Sequence, residues 1–145
     1  MDITNKKYSD MADKKSPDSP AFKNCLWAFI IGGTICTIGQ VIINLCVSKG
    51  MSFENASGIA SCSLVVLSSL LTGLNIYGKI AKHAGAGTLV PITGFSNAIT
   101  APAIEFKSEG YILGVGAKMF VIAGPVIVYG VLSSVVAGII KYLMM

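Results

Sequence analysis

A run of 22 residues without a charged side chain, CLWAFIIGGTICTIGQVIINLC, extends over residues 25–46. At a rise of about 1.5 Å per residue, a helix of this length crosses the hydrocarbon core of a bilayer, which is about 30 Å thick. The run is longer than the apolar core of a signal peptide, about 7 to 15 residues, and no small-residue cleavage motif follows it. We therefore predict a membrane-spanning helix that is retained as an anchor.

Charged residues are concentrated at the N-terminal end of the chain. Nine of the eighteen acidic and lysine residues lie within residues 1–24, and the other 121 residues share the remaining nine. Only 12% of all residues are charged, against about 25% in a typical soluble domain. We expect a polar, mobile tail over residues 1–24 and a transmembrane domain over residues 25–145.

Three further apolar segments follow the first span, at about 55–78, 84–104 and 111–141. The segment at 84–104 carries no acid or lysine, but it contains five helix-disrupting residues: Gly85, Gly87, Pro91, Gly94 and Pro102. In the last segment, Gly124 and Pro125 predict a kink. The predicted fold class is an all-α integral membrane protein with about four hydrophobic segments, of which the third is broken or re-entrant.

Several function classes are disfavoured by the residue types present. The chain contains no arginine, the preferred side chain for phosphate and base edges, so a nucleic-acid partner is not expected. The four cysteines lack C-x-x-C spacing, and His83 is the only histidine, so no metal site is predicted. No phosphate-loop pattern or catalytic constellation is present either. We expect neither an enzyme nor a bound cofactor.

Lysine placement predicts the orientation of the first two spans. The lysines of the tail, together with Lys79 and Lys82, place the N-terminus and the loop after the second span in the cytoplasm, which leaves Lys49 outside. If the third segment crosses, residues 105–109 lie outside and Lys141 lies inside. If it re-enters, residues 105–109 lie inside and Lys141 lies outside. The inside placement of Lys141 favours four crossings.

Polar side chains recur at helical spacing on both of the first two spans. The stripes include Gln40 and Asn44 on the first span, and Ser68, Thr72 and Asn75 on the second. Because polar groups in lipid need partners, we expect both stripes to face other helices. Interhelical packing and pore lining both explain such stripes.

The broken third segment is the best candidate for a solute pathway. Non-helical backbone at membrane depth is tolerated only inside protein or beside a water-filled cavity. Pro102 and Gly110 predict a short half-helix over residues 101–109, with free N–H groups at its start. The candidate pathway residues are Pro91, Gly94, Ser96, Asn97, Pro102, Glu105, Lys107, Glu109 and Lys118.

The charges at the end of this segment allow two interpretations. Glu105 and Glu109 share one helical face and could attract a hard cation such as calcium, although a solvated interfacial turn has the same pattern. Lys118 could offer its charge to an anionic solute or extend to a lipid headgroup.

The run LVPITGFSNAITAPAIEFKSEGYILGVGAKMFVIAGPVIVYG, residues 89–130, closely resembles the stage V sporulation protein AC family, which the AE-b protein shares. The preceding NIYGKIAKHAGAGT also fits, and the resemblance extends over most of residues 24–141. The charged N-terminal tail is more similar to that of the AC member than to the short tail of AE-b.

This resemblance implies an integral protein of the spore inner membrane in endospore-forming bacteria. It implies movement of dipicolinic acid, with calcium, into the developing spore and out of it during germination, through a channel that responds to membrane tension. The expected partners are other proteins of the stage V sporulation A operon and membrane lipid.

Dipicolinate is a small dianion, so Lys107 and Lys118 are reasonable contacts, and Glu105 or Glu109 suits calcium that is carried with it. A scaffold subunit and an ion-coupled carrier are the alternative functions. About four short spans are too few to enclose a wide pathway alone, so we expect a homo- or hetero-oligomer.

Overall fold

The computed structural model describes residues 20–144, together with residues 8, 9, 11 and 15 of the preceding segment. Over residues 20–144 the chain is helical and contains no strand, which confirms the predicted all-α fold class. Most of the tail predicted at residues 1–24 lies outside the described residues. The first helix begins at Ala21, before the start of the uncharged run at residue 25.

Six α-helices and two irregular helical turns make up the described chain. In order, they are α1 (Ala21–Ser48), α2 (Phe53–Gly73), α3 (Tyr77–Ala84), α4 (Ala86–Leu89), α5 (Ile92–Glu105), a 3₁₀ turn (Phe106–Glu109), a π-helix (Tyr111–Gly116) and α6 (Ala117–Met144). Three segments are long and apolar enough to cross a membrane: α1, α2, and the π-helix continued by α6. The predicted third segment provides no such span.

Local sequence determines where α1 and α2 end. The left-handed backbone at Gly50 (φ 86°) lets the Met51 N–H bond back to the Cys46 carbonyl, which closes α1 with a Schellman motif. Asn75 (φ 58°) closes α2 in the same way, because asparagine tolerates this conformation better than most residues. The second helix therefore stops before residue 78, where the predicted span ended.

The broken segment divides at Pro91, whose extended backbone (ψ 162°) separates α4 from α5. The prediction of a new half-helix starting near Pro102 is wrong, because Pro102 lies inside α5. A proline in a helix removes one backbone hydrogen bond, here to the Ala98 carbonyl, and α5 continues past that defect to Glu105. The 3₁₀ turn then ends at Gly110, where φ is 95°.

The broken segment starts and finishes at the same end of α2. Its deepest contact on α2 is with Val65, whose carbonyl accepts a hydrogen bond from Ser96. At its end, Glu105 lies beside Asn75 and Gly78, just beyond the C-terminus of α2. Since α2 ends at Gly73, eight residues of helix follow Val65, and the overlap with the broken segment covers about 12 Å, less than half of a hydrocarbon core. These contacts do not support the preference for four crossings drawn from Lys141, and they fit the re-entrant alternative.

Within residues 20–144, the last helix packs against the other elements only near its start. The π-helix and the first turns of α6 pack against α5 and the 3₁₀ turn, and Ala123 is buried there. Every residue from 126 to 144 is exposed. Pro125 lies inside α6, and the helix continues without interruption through residues 124 and 125.

Candidate functional site

The contact between α2 and α5 is a seam of hydroxyl groups. Ser68, which is completely buried, donates a hydrogen bond from Oγ to the Thr93 carbonyl at 2.7 Å. Ser96, also buried, donates to the Val65 carbonyl at 2.9 Å, and its Oγ lies 2.9 Å from the Ser69 Oγ. Serine is small enough to let the two helices approach closely while its hydroxyl finds a partner.

The seam continues towards the C-terminal end of α2. Thr72 lies 2.9 Å from the Asn97 Oδ1, to which its hydroxyl donates, and Thr100 donates to the Ser69 Oγ at 3.2 Å. Among the described residues, no buried side-chain nitrogen or oxygen lacks a hydrogen-bond partner. The buried polar side chains at the α2–α5 contact are therefore paired, as the low dielectric of a membrane requires, whereas Leu89, Val90 and Ile92 at the break are exposed.

Tyr77 at the start of α3 joins the end of α2 to the broken segment. Its ring is 4% exposed, and its hydroxyl donates to the Thr88 carbonyl at 2.8 Å and lies 3.0 Å from the Thr93 Oγ1. Sequence reasoning missed this residue, because a tyrosine close to lysines is typical of a membrane–water interface.

Replacing Tyr77 by phenylalanine is expected to reduce the free energy of unfolding by about 1 to 3 kcal/mol, because the Thr88 carbonyl loses its donor in a buried position. Unfolding in lipid bicelles, measured by steric trapping, tests this. The matched control is Tyr129→Phe, since Tyr129 is exposed on α6. Equal stability of the two variants would contradict the anchoring role of Tyr77.

A solvent-open cavity of about 470 Å³, which we call the polar cavity, adjoins the seam at the C-terminal ends of α2 and α5, and Asn75, Gly78, Ile104 and Glu105 in its wall are exposed. This volume lies within the range of about 300 to 1,000 Å³ that is usual for small-molecule sites. Its lining residues are Thr72, Gly73, Asn75, Gly78, Asn97, Ala101, Ile104 and Glu105. The cavity therefore brings together two residues of the predicted α2 stripe, Thr72 and Asn75, and two of the predicted pathway, Asn97 and Glu105.

A second cavity, of about 280 Å³, lies among α1, α2, α3 and the broken segment. Isoleucine and leucine side chains form most of its wall, and the hydroxyls of Ser68 and Tyr77 at its edge are already hydrogen bonded. It therefore offers a polar solute little compensation for lost water. The polar cavity is the better candidate site.

The remaining charged candidates do not line the polar cavity. Lys107 and Glu109 are exposed on the 3₁₀ turn. Lys118 is half-buried, and its Nζ lies 4.5 Å from the centroid of the Phe106 ring, a distance at which a cation is attracted to the ring face. This contact holds the lysine against the turn, which favours a structural role for it.

The other predicted pathway residues serve the packing of the broken segment. Pro91 lies in the break and borders an open groove beside α1. Gly94 is buried where the backbone turns back against the Leu89 carbonyl, and Gly87 meets the backbone of Ala28 in α1. These positions hold the fold together around the cavity and do not line it.

The α1 stripe does not face another helix of the described chain, and that it faces a helix of a neighbouring chain stays a prediction. Gln40 and Asn44 are both exposed, and Gln40 Nε2 donates to Asn44 Oδ1 at 2.9 Å. The opposite side of α1 carries Gly32 and Gly39, which contact Gly87 and Leu64. Helices approach most closely where glycine lines the contact. The side of α1 that carries Gly32 and Gly39 therefore packs against the described chain, and the side that carries Gln40 and Asn44 stays exposed.

No group of three or more His, Cys, Asp or Glu side chains that could hold a metal ion occurs among the described residues. Cys25, Cys36, Cys46 and Cys62 are all free thiols.

Comparison with known proteins gives a consistent result. Residues 24–140 match the family model described as SpoVAC/SpoVAEB sporulation membrane protein. The chain is 41% identical over 136 residues to "Stage V sporulation protein AC" of Bacillus subtilis (strain 168), and the alignment covers 93% of this chain and 91% of that relative. No solved structure matches the chain.

Proposed function

This chain belongs to the SpoVAC/SpoVAEB sporulation membrane protein family, and from that membership we propose that it is a channel subunit for calcium dipicolinate in the spore inner membrane. The polar cavity between α2 and the re-entrant segment is the observation that carries this proposal. Such segments bring irregular backbone and polar side chains to membrane depth, where a solute path needs them.

The chemistry of the cavity favours the calcium complex over free dipicolinate. The side-chain amides of Asn75 and Asn97 can donate hydrogen bonds to carboxylate oxygens. The Glu105 carboxylate repels a bare dianion, but it is a good ligand for a hard cation such as calcium. A complex in which calcium neutralises dipicolinate satisfies both kinds of group.

The hydroxyl seam between α2 and α5 is the proposed gate beside the cavity. Ser69, Ser96 and Thr100 bond to one another and to helix carbonyls when α2 and α5 are in contact. If membrane tension separates the helices, water can replace these partners, so opening leaves no polar group unpaired. A seam of apolar side chains could not form hydrogen bonds with the water that enters on opening.

The proposed orientation follows from the lysines and the re-entrant path. The N-terminal tail, α3 and the 3₁₀ turn lie on the cytoplasmic side, and Lys49 lies outside. Since the chain then crosses three times, Lys141 and the C-terminus lie opposite the N-terminus. Other proteins encoded by the stage V sporulation A operon are the proposed partners that complete the pathway.

Vesicles loaded with calcium dipicolinate test conduction. Release is measured after an osmotic downshift, with the chain alone and with its operon partners. We expect Asn97→Leu and Glu105→Gln each to reduce the release rate about tenfold, as loss of one hydrogen bond to a charged group predicts. The matched control is Glu109→Gln, the same substitution on the exposed turn, which should release normally.

Absence of release under every tension and partner combination would overturn the channel proposal. The scaffold alternative is favoured by one specific observation: the described chain pairs all of its buried polar side-chain atoms internally. Normal flux through complexes that contain Asn97→Leu or Glu105→Gln would support that alternative. Saturable uptake that follows an ion gradient would instead indicate a carrier.

A further inference from the structure

One face of α1 carries polar and small residues that nothing in the described chain covers. The four residues are Gly33, Thr37, Gln40 and Asn44, and each of them is exposed. Their spacing of four, three and four residues is the heptad spacing with which two helices pack in a left-handed pair. We call these four residues the amide face of α1.

The amide face lies at a depth where lipid cannot satisfy it. Measured from the midpoint of the uncharged run at residues 25–46, Gln40 is about 7 Å and Asn44 about 13 Å along the helix axis. Both distances are smaller than half of a hydrocarbon core of about 30 Å. Exposed amide groups at this depth lose their hydrogen bonds to water, which is unfavourable unless a protein partner replaces them.

The internal hydrogen bond on this face leaves specific groups free. Gln40 Nε2 donates to Asn44 Oδ1, and within residues 20–144 no partner is found for Gln40 Oε1 or Asn44 Nδ2. One of these atoms is an acceptor and the other is a donor. The amide face therefore presents a free acceptor, Gln40 Oε1, and a free donor, Asn44 Nδ2. The two groups suit each other chemically, but on one helix they are left without partners.

We propose that the amide face binds the amide face of a second copy of this chain, with the two α1 helices parallel and related by a two-fold axis. In this arrangement Gln40 Oε1 of each copy accepts from Asn44 Nδ2 of the other. A two-fold contact is self-complementary, which matches a surface whose free donor and acceptor are each other's partners.

The rest of the face permits such a contact sterically. A Cβ atom added at Gly33 would have no heavy atom within 4 Å, so a neighbouring helix can approach there. The Thr37 hydroxyl is already bonded to the Gly33 carbonyl at 2.8 Å and makes no further demand on the partner. The dimer contact lies away from the polar cavity, so it does not depend on what the cavity transports.

Disulfide cross-linking of single cysteines tests the contact. In a cysteine-free background reconstituted in lipid vesicles, Gly33→Cys and Thr37→Cys are expected to give covalent dimers on mild oxidation. The matched control is Val66→Cys, which is exposed on α2 at a similar depth. Absence of dimer at both positions 33 and 37, or equal dimer yield at position 66, would overturn the proposal.

A second experiment separates the amides from general apolar contact. The double variant Gln40→Leu, Asn44→Leu should weaken dimerisation about tenfold in a vesicle dilution series, in line with membrane hydrogen bonds. Thr34→Val is the matched control, because its hydroxyl bonds only to the Ile30 carbonyl of its own helix. Unchanged dimerisation in the double variant, or capture of a different membrane protein in place of the second copy, would contradict the assignment.

Discussion

Replacing Gly87 by leucine is expected to lower the free energy of unfolding by about 3 kcal/mol or more, one of the two largest effects that we predict. A Cβ atom at this position would lie 2.8 Å from the Ala28 Cα and 2.9 Å from its carbonyl carbon, and would also meet the carbonyl oxygen. These are backbone atoms, which cannot rotate away. Overpacking of this kind forces helices apart and usually costs about 1 to 3 kcal/mol, occasionally more.

The control for this prediction is Gly58→Leu on α2. No heavy atom lies within 4 Å of a Cβ built at Gly58, so leucine there should leave stability nearly unchanged. Unfolding of both variants in bicelles, followed by steric trapping, gives the comparison. If Gly87→Leu is as stable as Gly58→Leu, α1 and α4 are not in backbone contact.

The second large effect is expected at Ser96 in the centre of the hydroxyl seam. Ser96→Leu adds bulk where α2 and α5 touch, and it removes the hydroxyl that bonds to the Val65 carbonyl and lies beside Ser69. Both changes act against the contact, so we expect a loss of about 3 kcal/mol or more. Ser96→Ala removes only the hydroxyl and should cost about 1 kcal/mol.

The difference in the free energy of unfolding between Ser96→Leu and Ser96→Ala separates the effect of added bulk from the loss of the hydroxyl. Ser63→Leu is the control for leucine itself, because Ser63 is exposed on α2 and faces away from the seam. It should leave the free energy of unfolding nearly unchanged. Similar stability of Ser96→Leu and Ser63→Leu would mean that the seam is not closely packed.

The sequence was sufficient to predict the fold class and the location of the break. An uncharged run long enough to cross a bilayer has few alternatives, and prolines and glycines in lipid-compatible sequence need protein around them. Asn97 and Glu105 were identified in this way, and the structure places both in the cavity with Thr72 and Asn75. Thr72 and Asn75 lie at and just beyond the end of α2, Asn97 and Glu105 lie on α5, and only tertiary packing brings the two pairs together.

Lysine placement could not determine whether the broken segment crosses. Between the two topologies Lys107 and Lys118 exchange sides with Lys141, so the number of lysines on each side changes by only one. The orientation rule counts these charges and therefore separates the two topologies poorly. The hydrogen bond of Ser96 to α2, and the cavity that Glu105 shares with the end of α2, favour the re-entrant path, and both depend on side-chain packing that no charge pattern reports.

Two features of the described chain differ from local sequence signals for related physical reasons. Pro102 has the sequence signature of a helix start, but a single missing hydrogen bond is tolerated when the surrounding helix is well packed. The stripe at Gln40 and Asn44 was expected to face other helices, yet within the described chain the glycines of α1 allow a closer approach on a different side. In each case tertiary contact outweighed a local preference.

The unpacked last helix has a mechanical consequence. The helical segment Tyr111–Met144 has 34 residues, of which the uncharged stretch between Lys118 and Lys141 makes up 22, about 33 Å of helix, so this stretch matches a hydrocarbon core of about 30 Å. Every residue from 126 to 144 is exposed within the described chain, so packing against the other described helices does not set the tilt of this helix. A change in its tilt would reach the broken segment through the contacts at its start, where the π-helix and the first turns of α6 pack against α5.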